Sequence, residues 1–484
     1  MTKNAAAIST PEIPVLGTEE WRRWILETCR HGGGRIVALF AVPHAEGLRI
    51  YGIVGHDARG ELGIAAIDLR EKRYPALTPE LPEAHLFERE MAEAEGLVPE
   101  GHPWLKPVRN CTDYPFYRMA SEQMHEVAVG PVHAGIIEPG HFRFQCHGEK
   151  VFHLEIQLGF QHRGVERRMV AAKPSLRAVL AESIAGDTVI GHGLAYCHAI
   201  EGLCGRSVPH RAKGLRAVAL ELERLANHTG DLGALAADIG FLPANAYFGR
   251  LRGEFLNLLM ELTGNRFGRS FLRPGGVLFD MTPAMFADFQ DRIARAAADM
   301  REVADLFFSA SSVLARLEQT GIVTPETARA LGLVGPAARA SNLLRDVRND
   351  YPTGAYRFHA IPPVRLASGD VYARARVRSL ESKGSIEFVV EQLEQLESLA
   401  ADRILVAADA PRPSALVISL IEGWRGEIVH IALTDAQGKI ARYKIVDPSF
   451  RNWMALGLAM RDGQLSDFPL CNKSFNLSYA GHDL

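Results

Sequence analysis

Residues 182–192 read ESIAGDTVIGH: an acid, a run of small residues, an aspartate in the middle and a histidine at the end. Such a stretch could line a polar cavity, because aspartate and histidine side chains can hydrogen-bond to a ligand. Its small residues could equally serve only to let two helices approach closely. The choice between these interpretations depends on the rest of the chain.

Four further segments carry polar residues in patterns that packing alone does not require. They are GPVHAGIIEPGHFRF (130–144), GFQHRGVERRM (159–169), EGWRGEIVHIALTD (422–435) and DPSFRNW (447–453). A chance occurrence of five such segments in one chain is improbable. Packing alone therefore does not account for them.

The elements that must position this site begin with a small domain. Residues 1–17, rich in Ala, Pro and Thr, predict a flexible arm, and residues 18–110 predict an α/β domain. Within that domain a helix precedes Gly32, and three runs rich in Val, Ile and Leu (RIVALFAV, LRIYGIVG and LGIAAIDL) are typical of strands. Residues 111–130 are expected to be a linker.

Residues 131–484 predict a second, mainly helical domain. Apolar residues recur at three and four spacing over 211–241, 283–319 and 385–406, which indicates long amphipathic helices. Residues 141–159 and 415–447 alternate and turn at glycines, as antiparallel strands do. The predicted fold class is therefore α+β, a small α/β domain followed by a mainly helical domain with peripheral antiparallel strands.

Composition excludes several classes of protein. With 484 residues, 47% hydrophobic and 23% charged, the chain is ordinary globular material, and a net charge of −3 gives no reason to expect a nucleic-acid partner. Its six cysteines form no C-x-x-C pair, so they predict neither a zinc ribbon nor a ferredoxin-like iron–sulfur cluster. We expect free thiols, no signal peptide and no membrane span.

In their order the five segments resemble those of nickel–iron hydrogenase large subunits. The resemblance is greater to the branch shared by energy-converting hydrogenases (hydrogenase-4 and formate hydrogenlyase large subunits) and the 49 kDa subunit of respiratory complex I. Residues 18–110 are similar to the 30 kDa subunit of complex I, and GHPWLKPVR stands where that domain ends. The resemblance covers nearly the whole chain and implies a fusion of two such subunits, with a hydrogenase-large-subunit-like fold over 131–484.

The same resemblance implies that a metal site has been vacated. In the hydrogenases four thiolates, in R-x-C-G-x-C-x-x-x-H on a helix and in D-P-C-x-x-C, hold nickel and iron. Matching these motifs to 182–192 and 447–453 puts other residues at the four ligand positions: Ala185, Thr188, Ser449 and Asn452. Because hydroxyl and amide groups are poor substitutes for soft thiolates, we expect no metal here. The cut that follows metal insertion should then not occur, leaving Leu484 as the last residue.

Other matched positions imply a retained cavity, lined by Asp187 and His192. Arg425 falls where the hydrogenases place an arginine beside the metals, and Glu138 falls near a glutamate that they use to move protons. This pair could form a proton relay or only a structural ion pair, since buried charges must be paired in either case. Complex I holds a quinone headgroup there with a histidine and a tyrosine; His133 could supply the first, but Gly186 stands at the tyrosine position.

The resemblance implies the soluble large subunit of a membrane-associated, energy-converting oxidoreductase complex that couples electron transfer to ion translocation without nickel and iron. It would lie at the cytoplasmic face of the membrane. The implied partners are an iron–sulfur small subunit, similar to the 20 kDa subunit of complex I, and membrane subunits similar to its proton-channel and antiporter-like subunits. Iron–sulfur clusters are expected in the partner, and quinone is the candidate ligand. The alternatives are a non-catalytic assembly scaffold and a quinone-reducing NADH dehydrogenase-type subunit.

Overall fold

A computed structural model describes residues 1–45, 47–121, 123–133, 137–399, 403–407 and 409–484. The N-terminal part contains a three-stranded antiparallel sheet with two helices and two short parallel strands. Its elements are β1 (Ile8–Ser9), α1 (Thr18–Arg30), β2 (Arg35–His44), β3 (Gly47–His56), β4 (Glu61–Leu69), β5 (Arg73–Pro75), α2 (His85–Glu95) and β6 (Val98–Glu100). The three runs rich in Val, Ile and Leu are thus β2, β3 and β4, paired in chain order.

Residues 1–17 are not the flexible arm that their composition predicts. β1 pairs with residues 415–416, Thr2 bridges Leu62, and the Asn4 side chain donates to the carbonyls of Tyr351 and Leu420. These backbone and side-chain bonds tie the segment to both domains. Composition missed this because the partners lie as far as 416 residues away.

The expected linker ends in a strand of the next sheet. The elements that follow it are β7 (His125–Val129), β8 (His141–His147), β9 (Lys150–Gln157), α3 (Val165–Ala171), α4 (Pro174–Glu182), α5 (Val189–Cys204), α6 (His210–Asp238) and α7 (Leu242–Thr263). Strands β7, β8 and β9 form one antiparallel sheet. α5 ends at Gly205, whose φ of 63° is a conformation that glycine adopts without strain.

The remaining elements complete the helical domain and a second large sheet. They are β10 (Leu272–Arg273), β11 (Gly276–Val277), α8 (Pro283–Ser309), α9 (Ser311–Leu317), α10 (Pro325–Ala330), α11 (Gly335–Ala340), α12 (Val347–Asp350), α13 (Val371–Ser398), β12 (Ala415–Gly423), β13 (Gly426–Thr434), β14 (Ile440–Val446), α14 (Pro448–Ala459), α15 (Phe468–Phe475) and α16 (Tyr479–Asp483). The long helices α6, α8 and α13 form the core of this domain together with α7.

The sheet β1-β12-β13-β14 lies between the two domains and is buried on both faces. Leu416, Ile418 and Leu420 belong to the N-terminal core, whereas the alternate residues Val417 and Ile421 belong to the helical core. Alternation along a strand sends successive side chains to opposite faces, so one sheet serves two cores. Trp424 and Arg425 form the tip of the β12–β13 hairpin and enter the helical domain. The paired strands of this sheet hold them in place.

The α+β fold class is confirmed, with antiparallel sheets beside a mainly helical domain. The sheet β1-β12-β13-β14 is not peripheral as expected, because its two faces are covered by the two cores. Within the described ranges, no helix is both long enough and apolar enough to cross a membrane.

Candidate functional site

Residues 185–188 form a turn between α4 and α5, not part of a helix as the resemblance implied. The Thr188 amide donates to the Ala185 carbonyl over 3.1 Å, which closes the turn. Directly after the turn, α5 begins, and its Ile190 and Gly191 amides donate to the Glu223 carboxyl group of α6 over 2.7 and 3.1 Å. A carboxyl group here satisfies amides that a helix N-terminus leaves without partners.

Arg425 reaches this turn and binds Asp187 with two hydrogen bonds of 2.5 and 2.8 Å. Its Nη1 also lies 3.2 Å from the Thr188 hydroxyl, and its guanidinium lies 3.9 Å from the ring centre of Trp424. Burial disfavours the ionised form of Asp187, but the Arg425 charge outweighs it and holds the pKa of that carboxyl below its usual value. The pair is charged, with Arg425 4% exposed and Asp187 35% exposed.

His192 lies one turn into α5 and is fully buried. Its Nε2 lies 3.0 Å from Asp447 Oδ2, its Nδ1 lies 3.1 Å from His430 Nε2, and His430 Nδ1 lies 2.9 Å from the Tyr443 hydroxyl. Burial holds the pKa of His430 well below its usual range. The four side chains form a continuous polar chain from β13 and β14 to the start of α14.

Glu138 does not pair with Arg425 as the resemblance suggested. Its carboxylate accepts the amides of Tyr479 and Ala480, at 3.2 and 3.3 Å, at the start of α16. Burial raises the pKa of the Glu138 carboxyl and the nearby Asp187 charge adds to this, against the opposing effects of the two amides and of Arg425. The charges of Asp187 and Arg425 therefore affect the pKa of Glu138, although Glu138 is not bonded to either residue.

The end of the chain connects these groups, and we call residues 476–484 the C-terminal segment. The Asn476 carbonyl accepts a hydrogen bond of 2.5 Å from Arg425 Nε, and the Ser478 amide donates to the Ser449 hydroxyl over 2.9 Å. A Cβ atom added to Gly481 would lie 2.6 Å from the Asp447 carboxylate. Residues 477–484 are all buried, so the segment is part of the site.

Arg163 joins the C-terminal segment to the 185–188 turn. Its guanidinium donates to the carbonyls of Ser183 and Ile184, over 2.6 and 2.8 Å, and to the carbonyl of Ala480 over 3.1 Å. The sequence pattern of residues 159–169 did not indicate which residue has this role. Arg163 connects the residues before the turn to the C-terminal segment, and this contact places the 159–169 motif in the same site as the other motifs.

The four positions expected to be vacated lie in two places, the 185–188 turn and the start of α14. Ala185 and Thr188 lie in the turn and Ser449 lies beside Asp447, whose carboxylate accepts the Ser449 amide. The side chain of Asn452 instead exchanges two hydrogen bonds with the backbone of Val334. Asn452 follows Ser449 by three residues on α14, about one helical turn, and the C-terminal segment contacts Ser449 through Ser478.

The donors around the turn do not fit a thiolate-held nickel–iron centre. Thr188 and Ser449 offer neutral hydroxyls that already bind Asp187 and Ser478, and alanine offers no donor atom. In the ranges that the structure covers, no group of three His, Cys, Asp or Glu side chains is arranged to hold a metal ion. Cys197, the nearest cysteine along the chain, belongs to the hydrophobic core.

The two positions relevant to quinone differ in whether they are available to a ligand. His133 is half-buried and its Nε2 lies 2.9 Å from the Gly140 carbonyl of its own loop; residues 134–136 of that loop lie outside the described residues. Gly186 is exposed, and a Cβ atom added to it would meet open space. The turn thus has room in front of it, whereas His133 is already engaged.

Glu223 and the C-terminal segment were missed from the sequence, as were Arg163, His430 and Tyr443. Glu223 lies in the stripe LRAVALELERLANH, whose periodicity indicates a core helix, and the stripe is indeed buried. The signal was a charged residue on the face of a helix that is otherwise typical of core, since buried carboxyl groups need partners. The C-terminal segment gave a weaker signal, namely small and acidic residues (SYAGHDL) at the end of the chain.

Known proteins are similar to this chain over most of its length. The family model described as "Respiratory-chain NADH dehydrogenase, 49 Kd subunit" matches residues 238–406 and 390–483. Formate hydrogenlyase subunit 5 of Escherichia coli is 28% identical over 447 residues, covering 86% of this chain and 78% of that protein. An NADH-quinone oxidoreductase subunit of Clostridium beijerinckii is 30% identical over 330 residues, covering 66% of this chain and 87% of that protein.

A solved structure shares the fold. It is a chain of the membrane-bound sulfane sulfur reductase, an archaeal respiratory membrane complex, with a TM-score of 0.70 and 22% identity. The match covers 76% of this chain and all of the other.

Proposed function

We propose that this chain, which belongs to the family of the 49 kDa subunit of respiratory-chain NADH dehydrogenase, is a subunit of a complex I-like, membrane-associated oxidoreductase complex. The relatives named as subunits of formate hydrogenlyase and of NADH-quinone oxidoreductase support this proposal. Its partners would be a small subunit that carries iron–sulfur clusters and membrane subunits that move ions. The chain would lie at the cytoplasmic face of the membrane and dock on those subunits.

Within that complex, the role proposed for this chain is to hold a proton at Glu138. The observation that carries this is the arrangement of an ion pair, Asp187 with Arg425, near the Glu138 carboxyl group, to which no guanidinium is bonded among the described residues. Burial already raises the pKa of Glu138, so its proton affinity is closer to that needed at neutral pH than for an exposed glutamate.

Electron transfer in a partner subunit would change this proton affinity. A negative charge arriving near the site favours the protonated form of Glu138 and is partly offset by Arg425, since charges interact strongly where water is excluded. When the electron leaves, Glu138 releases the proton. Asp187 stays ionised through the cycle because Arg425 binds both of its oxygens. Electron transfer would in this way be coupled to proton movement, and hence to ion translocation, with no nickel or iron in this chain.

The test uses membrane vesicles that contain the assembled complex, with reduced methyl viologen as the electron donor, a short-chain quinone as the acceptor and a pH-sensitive dye. We expect Glu138→Gln to lower proton movement per electron several-fold while the complex stays intact on purification. Glu387→Gln, which neutralises an exposed glutamate on α13, is the matched control and should behave as wild type.

If the Glu138 variant and the control give the same proton movement in intact complexes, the proton-holding role is wrong and the scaffold alternative is favoured. If Glu138→Gln does not assemble, co-purification with Glu138→Asp, which keeps the carboxylate, separates a structural from a functional defect.

A quinone-reducing role is the second candidate, and the open space at Gly186 favours it. A headgroup in that space would lie next to Asp187 and Thr188, whose polar atoms could orient it. Gly186→Trp would fill the space and should abolish quinone reduction without affecting assembly. Unchanged quinone reduction in an intact Gly186→Trp complex would remove this candidate.

A further inference from the structure

We infer that an open cleft on the opposite end of α5 from the 185–188 turn binds a phosphate-bearing anion. The cleft has a volume of about 390 Å³ and lies where the end of α5, the start of α6 and the N-terminal residues 4–7 meet. This site is independent of the proposed function, because none of its residues contacts the Asp187–Arg425 pair.

Positive charge dominates the lining of this cleft. Its charged residues are Glu201, Arg206, Lys213, Arg216, Arg357 and Arg412. The single carboxylate, Glu201, is already neutralised, since Arg216 binds both of its oxygens over 2.6 and 3.1 Å. The other four cations therefore face the cleft with no compensating charge from its lining.

Three of these four cations have no acidic partner. In the part of the chain that the structure describes, Lys213, Arg357 and Arg412 form no ion pair, and Arg206 alone binds an acid, the exposed Asp409, over 3.1 Å. Arg357 is held by the Pro352 carbonyl, and the guanidinium of Arg412 lies close to Gly205. Like charges held near one another disfavour the empty cleft and favour an anion in it.

His198 is a neutral member of the lining. His198 lines the cleft, and its Nδ1 is buried without a hydrogen-bond partner among the described residues. Burial, with the charges of Arg216, Arg357 and Lys213 and against that of Glu201, lowers the pKa of His198 to about 4, so its ring is neutral at pH 7. Arginine recognises phosphate oxygens with paired N–H groups, and Arg206, Arg357 and Arg412 supply such groups in the lining.

The size of the cleft sets the class of ligand. A volume of about 390 Å³ is at the lower end of the range of small-molecule pockets and exceeds what one inorganic phosphate fills. The ligand class is therefore a compound with two or more phosphate charges, or a phospholipid headgroup. The N-terminal residues 4–7 form one wall of the cleft. A Cβ atom on Gly202 would lie 2.2 Å from the Ala5 carbonyl, so these residues pack directly against α5.

Calorimetric titration of the full chain with inorganic pyrophosphate at low salt tests the site. We compare wild type, the double variant Arg357→Ala/Arg412→Ala, and the matched control Arg295→Ala/Arg301→Ala, which removes two exposed arginines from α8. We expect the cleft variant to bind at least about tenfold more weakly, the loss expected for two charge-assisted contacts, and the control to stay within about twofold of wild type.

Flotation with vesicles separates the two sources of the phosphate group. Vesicles of phosphatidylglycerol that carry wild type but not the cleft variant would assign the site to a lipid headgroup, and pyrophosphate binding without flotation would assign it to a soluble phosphate compound. Equal weakening in the cleft and control variants, or no saturable binding of either probe, would overturn the inference. Because Arg357 and Arg412 are both exposed, their removal should not prevent folding, and circular dichroism checks this.

Discussion

The site at the 185–188 turn and the charged network between α6 and α13 are both largely buried, yet they are built differently. In the network each acid binds at least one guanidinium or imidazole; its members are Glu221, Arg224, His228, Arg339, Asp346, Arg348, Glu381 and Glu422. All of these side chains are at most 2% exposed. At the site, by contrast, Asp187 is 35% exposed, and among the described residues the groups bonded to Glu138 are the backbone amides of Tyr479 and Ala480.

This difference separates charged groups that stabilise the fold from carboxyl groups whose protonation state can change. Guanidinium groups hold the pKa of Glu221, Asp346 and Glu381 below the usual value, whereas at Glu422 burial outweighs the Arg339 charge and raises the pKa to about 7. Among the described residues no guanidinium is bonded to Glu138 or Glu223, and burial raises the pKa of each. We interpret the network as structural because guanidinium or imidazole groups bind all of its acids, and the site as the place where backbone amides bind the titrating carboxyl groups.

The largest effect is expected in the network. Arg339 binds Glu381 over 2.6 Å and Glu422 over 2.7 Å, and it is fully buried. Arg339→Met would leave both carboxylates without this partner, and we expect a loss of about 3–5 kcal/mol in the free energy of unfolding, the usual cost of breaking a buried ion pair. A lower midpoint in urea, followed by circular dichroism, measures it.

Arg295→Met is the matched control for that substitution, because Arg295 is exposed on α8. It should change the free energy of unfolding by no more than about 0.5 kcal/mol, as for most surface substitutions. If Arg339→Met were as mild as the control, the network would not be structural and the comparison would fail.

A smaller effect is expected from Glu223, and it depends on pH. Burial raises the pKa of Glu223 to about 8, so the folded chain holds a proton that the unfolded chain has already lost. Its stabilising contribution is complete below the ordinary glutamate pKa and is lost as pH rises towards about 8, at a slope of about 1.4 kcal/mol per pH unit.

Glu223→Gln removes the titration but keeps an oxygen to accept the amides of Ile190 and Gly191. We therefore expect its urea midpoint to fall less steeply with rising pH than that of wild type, with Glu387→Gln as the unaffected control. Parallel pH profiles for Glu223→Gln and wild type would show that Glu223 is ionised throughout and that the site does not titrate as described.

The smallest effects compare two glycines within the site. A Cβ atom on Gly481 would lie 2.6 Å from the Asp447 carboxylate, whereas one on Gly186 would meet open space. We expect Gly481→Ala to cost about 1–3 kcal/mol through overpacking. Gly186→Ala should stay within about 0.5 kcal/mol of wild type. Equal effects on thermal unfolding would mean that the C-terminal segment is not packed against Asp447.

Much of the fold follows from local pattern. The Val, Ile and Leu runs predict β2, β3 and β4, and the three and four spacing predicts α6 and α8, because these signals depend on neighbours along the chain. The site was predictable only in part. Asp187, His192 and Arg425 stand in motifs that the resemblance singled out; Arg425 binds Asp187, and His192 is fully buried against Asp447. Their role as the lining of a ligand cavity stays a prediction.

The remainder of the site depends on contacts between distant residues. Arg425 binds Asp187, which is 238 residues away, and the Glu138 carboxylate caps amides 341 and 342 residues away. No periodicity in the sequence encodes such partners. The same reason accounts for the wrong expectations of a Glu138–Arg425 pair and of a flexible arm, which is instead bound to β12 and β4.

The claim that the site works without nickel is tested most directly by the metal content of the purified complex, measured by mass spectrometry of the elements. The donors around the turn are hydroxyls and paired carboxylates, which bind nickel weakly compared with thiolates. We predict nickel at background, iron only in the amount that clusters of a partner protein explain, and an intact chain mass that includes Leu484. Stoichiometric nickel, together with a mass that lacks the C-terminal segment, would contradict this prediction.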